Sequence, residues 1–133
     1  MAGTTNLEEL IKNMTPKLNE GSYVFVTVKE PIAIDRTAII CEFKEPEGTT
    51  LILEKSTADE LHLAYDYVAA WITLMVHSSL DAVGLTAAFS NELAKHQISC
   101  NVIAAYFHDH IFVAQKDAQK AIDALLALSK SMK

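Results

Sequence analysis

Apolar residues at Leu7, Leu10, Ile11 and Met14 recur at helical spacing and predict one amphipathic helix near the start of the chain. Asn6 with Glu9 three positions on has the arrangement of a capped helix start. Pro16 ends or re-aims the helix, Leu18 continues its stripe, and Gly21 reads as its stop. Tyr23 to Val28 is β-branched and aromatic, the pattern of a strand covered on both faces. Residues 29–36 are interrupted by Pro31 and read as a loop that tucks in Ile32 and Ile34. Two strand-like runs, 38–44 and 49–55, flank Glu45-Pro46-Glu47-Gly48, whose proline and glycine predict a hairpin turn. Ser56 to Glu60 then offers a capping box, Thr57 with Glu60 or Ser56 with Asp59, for a short helix running to about Tyr65.

The second half is more regular. A strand ending at His77 alternates Ile72, Leu74 and Val76 with Trp71, Thr73, Met75 and His77. Because Trp71 and Met75 are too apolar for a solvated face, that side is expected to be covered by the other half or by another subunit. The loop SSLDAVG follows, with Asp81 expected as N-cap of a helix striped by Leu85, Phe89 and Leu93. Ile98 to Tyr106 alternates again, 107–110 predicts a tight turn, and Ile111 to Ala114 a last strand. Ala118, Ala121, Ile122, Leu125 and Leu128 stripe a closing helix over 117–129. Helices and hairpins in this order indicate an α+β sandwich, each half close to a ferredoxin-type unit and the second lacking its closing strand. No Pro/Gly/Ser-rich linker separates the halves, so they are expected to be packed together.

Bulk properties narrow the function. The 133 residues are half hydrophobic and carry a formal charge of −6 without a Lys/Arg cluster, which argues against a nucleic-acid partner. The N-terminus, with Glu8 and Glu9, does not read as a signal peptide, and the apolar run 68–76 is too short to span a bilayer, so a cytoplasmic protein without membrane attachment is expected. Cys41 and Cys100 have no CxxC spacing and read as buried, reduced thiols.

Candidate chemistry is sparse. Asp81 is either a plain helix cap or a cap that also meets a ligand. Helix-start N–H groups beside a carboxylate would suit the two charges of an amino acid. Gly84 in a first helical turn implies a close approach, by a ligand or by a neighbouring strand. Asn101, in an apolar strand, would be satisfied by a ligand or by water at a sheet edge. His108-Asp109-His110 could place two imidazoles on one strand face, but no third ligand is spaced for zinc, and a turn capped by Asp109 is the favoured reading. No metal or cofactor is expected. Cys100 lacks an electropositive setting, and no nucleophile or phosphate-loop motif is present, so the chain is read as non-catalytic.

The segment DAVGL at 81–85, preceded by an apolar strand and followed by ISCNV at 98–102, resembles the ACT domain signature. With GLTAAF, ISCNVIAA and HDHIFV, the chain is similar to small bacterial tandem ACT-like proteins related to aspartate-kinase regulatory domains. The resemblance implies an atypical ACT-like unit at 1–67 and a clearer one at 68–133. Both would be βαββαβ-type, packed through antiparallel sheets with helices on one face. It implies a regulatory, amino-acid-binding protein with the ligand at an inter-unit cleft, as a homodimer or higher homo-oligomer; the alternative is a ligand-free interaction module. Carried over by position, the ligand-binding residues are Ser79, Leu80, Asp81, Ala82, Val83 and Gly84, and across from them Ile98, Ser99, Cys100 and Asn101. Val83 stands where many ACT domains have proline, and no attached catalytic domain is expected.

Overall fold

The computed structural model describes residues 6–132. In chain order it contains α1 (Leu7–Asn13), β1 (Pro16–Leu18), β2 (Tyr23–Val28), β3 (Ile39–Glu45), β4 (Gly48–Glu54), α2 (Lys55–Glu60) and β5 (Val68–Leu74). It continues with α3 (Leu85–Lys95), β6 (Asn101–Ala104), β7 (Asp109–Ala114) and α4 (Ala118–Ser131). The α+β class and the ferredoxin-like units expected from sequence are present. By contact, the described residues form one compact unit from 6–19 and 70–132 and another from 20–69.

In the first of these units, α1, α3 and α4 bury their stripes against β5 and β7. Leu10, Ile72, Leu74, Phe89, Leu93, Ile111 and Leu125 are fully enclosed in one core. The strands are ordered β1-β5-β7-β6, with β1 antiparallel to β5 through Pro16–Leu74 and Leu18–Ile72, and β6 antiparallel to β7. The closing strand that the second half lacks is therefore supplied by residues 16–18. This corrects the expectation that Leu18 prolongs the first helix: the helix ends at Asn13, and proline is tolerated as the first residue of a strand. Met75 N–H donates to Thr15 O at 2.8 Å and Asn19 N–H to Trp71 O at 2.9 Å, holding the segment at both ends. Asn6 caps α1 as expected, its side chain accepting from Glu9 N–H at 3.0 Å.

The other unit carries the order β3-β4-β2, and β2 pairs onward with Val68 and Ala69 at the start of β5. Its core is smaller, built on Val24, Val26, Leu51, Leu53 and Ala58, with Ile32 and Ile34 packed against it as the sequence suggested. Between β2 and β3 a ferredoxin unit has a helix; here there is only a 3-10 turn at Arg36–Ala38, capped by Asp35. Gly21 stops no helix: at φ +102° it turns the chain between β1 and β2. The capping box at 56–60 does not form either, because α2 starts at Lys55 behind Glu54 without a side-chain cap.

At the other end of β5 the strand stops at Leu74, short of His77, and α3 opens later than expected. Its N-cap is Gly84, not Asp81, which lies three residues outside. Gly84 has φ +100°, a conformation that side chains resist, and a Cβ there would meet Leu7 Cδ2 at 3.0 Å. The close approach at Gly84 is thus by the Leu7 side chain of α1 and not, as the sequence suggested, by a neighbouring strand. Gly84→Ala should lower stability by ~1–3 kcal/mol in thermal or urea unfolding, set by backbone strain. Leu7→Ala in the same chain should not restore it; full rescue would assign the loss to the Leu7 contact instead.

Candidate functional site

The loop 79–84 is shaped by its own serine. Ser79 O accepts from Ala82 N–H at 2.9 Å, and Ser79 Oγ accepts from Asp81 N–H at 3.2 Å. Those two amides are therefore occupied, which corrects the picture of a wholly bare loop. The open amides lie further on, because glycine offers no capping side chain and no side-chain cap bond forms at the start of α3. Around that helix start Asp81 is exposed, Leu80 is 68% exposed and Val83 82%, and Ala82 and Ser79 are half-buried.

Ile98, Ser99, Cys100 and Asn101 lie beyond the opposite end of α3. Eleven helical residues separate the groups, a rise of roughly 16 Å. The sheet gives the same placement: Asn101 pairs with Phe112, whose ring stacks on Trp71, whereas His77, which leads into the loop, has its ring against Tyr106 and Phe107 at the β6–β7 turn. The ten candidate residues thus form two clusters within one unit. Ile98 is buried in the core and Ser99 is exposed. Asn101, exposed on β6, donates from Nδ2 to Phe112 O at 3.3 Å. Burial pushes the Cys100 thiol up to about 11, partly offset by a hydrogen bond with Ser90, which leaves it a poor nucleophile at neutral pH.

The sequence reading missed how His110 is used. Asp109 is not a turn cap: the turn is closed by Ala105 N–H to His108 O at 3.0 Å, and Asp109 is buried as the first residue of β7, where desolvation raises its pKa. His110 Nδ1 accepts from Trp71 Nε1–H at 3.0 Å and lies 3.0 Å from Thr73 Oγ1. Asn19 Nδ2 in turn donates to Thr73 Oγ1 and Trp71 O, at 3.0 and 3.2 Å. Trp71 therefore fixes the neutral His110 with its proton on Nε2. The equal parity of Trp71 and Thr73, and of His110 and Phe112, was visible in the sequence; the register that joins them was not. Among the described residues no group of three or more His, Cys, Asp or Glu side chains could hold a metal ion.

Two models of the ACT domain match the sequence, one over residues 2–70 and one over 67–127. The chain belongs to the ACT domain family. This tandem ACT chain is similar to a solved Vibrio cholerae protein described as of unknown function and a possible transport protein. The two are 48% identical, over 92% of this chain and 95% of that one, with a TM-score of 0.83. An Agrobacterium tumefaciens protein shares the fold at 16% identity and TM-score 0.72, over 87% and 89% of the two chains. The ligand-free regulatory subunit of aspartate kinase from Thermus thermophilus does so at 10% identity and TM-score 0.57, over 85% and 95%. No curated protein matches the sequence. ACT domains are regulatory modules, and both matching models are of that kind. Among the described residues no helix is long and apolar enough to cross a membrane.

Burial first, and the neighbouring His108 second, hold His110 below the ordinary histidine value of 6.5. Between that lowered value and 6.5 the unfolded chain binds more protons than the folded one. The contribution of His110 to stability is therefore complete above 6.5 and is lost as the pH falls from there through the folded pKa. Trp71 is the sole tryptophan, so its emission should titrate with a midpoint below 6.5 and the step should vanish in His110→Phe. A midpoint at or above 6.5 would contradict the geometry.

Proposed function

We propose that this ACT chain is a non-catalytic, cytoplasmic regulatory protein that binds a small molecule, most simply an amino acid, between ACT units of a homodimer. It is read as two sequence repeats, 1–67 and 68–133. The observation that carries the proposal is the start of α3, which no side chain caps, with the exposed Asp81 three residues before its N-cap. The amides suit a ligand carboxylate, and Asp81, or Asn101 from a facing unit, suits its ammonium group. Because 79–84 and 98–101 lie at opposite ends of α3, a ligand touching both must take them from different copies. A cleft across a dimer supplies that, and binding there would favour one arrangement of the subunits.

A second reading, a ligand-free interaction module, is favoured by the apolar groups at this end of the unit: Leu80, Val83, Tyr106 at 58% and Phe107 at 61% exposure. Thermal shift against the standard amino acids separates the two. The sensing proposal expects one or two amino acids to raise the unfolding midpoint, an effect lost in Asp81→Ala at unchanged basal midpoint. A flat response over the whole panel, with a stable dimer weakened by Leu80→Ser or Phe107→Ser, would favour the interaction module.

A further inference from the structure

Ile72, Leu74, Ile111 and Val113 point into the helix-covered core, so Trp71, Thr73, His110 and Phe112, one residue out of step, share the opposite face of β5 and β7. There Trp71 Nε1–H donates to His110 Nδ1, and Thr73 Oγ1 lies against the same nitrogen. Asn19 Nδ2 donates to both Thr73 Oγ1 and Trp71 O, which closes a ring. The ring begins and ends on Trp71, and neither end has a choice: an indole N–H only donates and a carbonyl only accepts. The amide nitrogen of Asn19 must therefore face Trp71 O. Thr73 Oγ1 receives from that nitrogen, and its own hydroxyl hydrogen is left for the His110 lone pair. The neutral imidazole thus sets the polarity of the whole chain from Asn19 through Thr73 to His110.

A proton on Nδ1 inverts that polarity. The imidazolium Nδ1–H then donates to Thr73 Oγ1, and Trp71 Nε1–H loses this acceptor. Thr73 is only 6% exposed, so its hydroxyl hydrogen needs an acceptor within the ring, and the one at hand is Asn19 Oδ1. Turning the Asn19 amide to offer Oδ1 takes Nδ2 away from Trp71 O. Within this unit no acid on the same face offsets the new charge. His108 of β7, its ring 6.3 Å from that of His110, and Lys17 of β1, the register partner of Thr73, are basic. Trp71 and Thr73 of β5 are uncharged, and β6 meets His110 with Ile103. Asp109, next in sequence, points to the other face. Asn19 also gives the main-chain bond to Trp71 O that follows β1, so the side chain that turns sits at the end of the closing strand.

We propose that this ring is a proton-operated latch on β1: the neutral imidazole holds Asn19 on Trp71 O, and a solvent proton taken up at His110 Nδ1 releases it and loosens the end of the closing strand. The latch is closed at neutral pH and opens through the His110 titration, below 6.5. It lies on the face away from α3 and does not rest on the ligand reading given above.

NMR of the full chain across the His110 titration tests the latch, with the imidazole, the Asn19 side-chain amide and the Asn19 N–H as reporters. The Asn19 side-chain amide signals should move with the His110 midpoint. Below that midpoint the Asn19 N–H should exchange about tenfold faster, relative to Phe89 N–H and corrected for the intrinsic rate, than above it. His110→Asn puts an amide oxygen, which does not titrate, in the place of Nδ1 and should keep the latch closed at every pH. By linkage, Asn19→Ala should raise the His110 midpoint by about 0.5 pH or more, and in a Thr73→Val background it should add nothing. Asn19 signals indifferent to the titration, or Asn19 exchange that quickens equally in His110→Asn, would overturn the proposal. So would an undiminished effect of Asn19→Ala in the absence of the Thr73 hydroxyl, which would assign the change to water entering the ring.

Discussion

The pairing of Pro16–Leu18 along Ile72–Leu74 is the constraint on which the better-defined unit depends. Without it, one edge of β5 would present unpaired amides over these positions, and the helix α1 would have no anchor beside the core that Leu10, Ile11 and Met14 help to fill. Ser129 Oγ–H reaches the Lys12 carbonyl at 2.9 Å and so ties α4 to the same segment. The contact units therefore differ from the sequence matches at 2–70 and 67–127: residues 6–19 belong by match to the first repeat and by packing to the unit that holds most of the second.

That arrangement decides what the candidate site can be. With α1 in place, Leu7 lies against Gly84, and the left-handed turn at Gly84 sets where α3 begins. The helix start is displaced from Asp81, leaving the acid outside the helix and free of capping. The same α3 then carries the chain away to Ile98, so the signature residues separate into one cluster at each end of a helix. The two clusters are therefore too far apart within one unit to meet on one small molecule.

Much of this was legible in the sequence. The stripes Leu85/Phe89/Leu93 and Ala118/Ala121/Leu125 define their helices because burial follows a strict period. The hairpin around Pro46 and Gly48 was fixed by turn chemistry, and DAVGL with ISCNV pointed to the family. What was not legible depends on partners distant in sequence. Nothing local marks Pro16–Leu18 as a strand, since three residues carry no period and their partner is more than fifty residues away. Asp81 had the right chemistry for an N-cap, but the conformation available to Gly84 overrode it. The role of His110 depended on a cross-strand register that periodicity does not supply.

Hydrogen exchange on the intact chain tests the dependence on residues 6–19 most directly. The amides of Leu10, Asn19 and Met75, bonded to Asn6 O, Trp71 O and Thr15 O, should open with the same free energy as those of Phe89 in α3 and Leu125 in α4. Exchange of the first three through a separate opening, cheaper by about 2 kcal/mol or more, would show that the segment is an accessory to the unit and not its closing element.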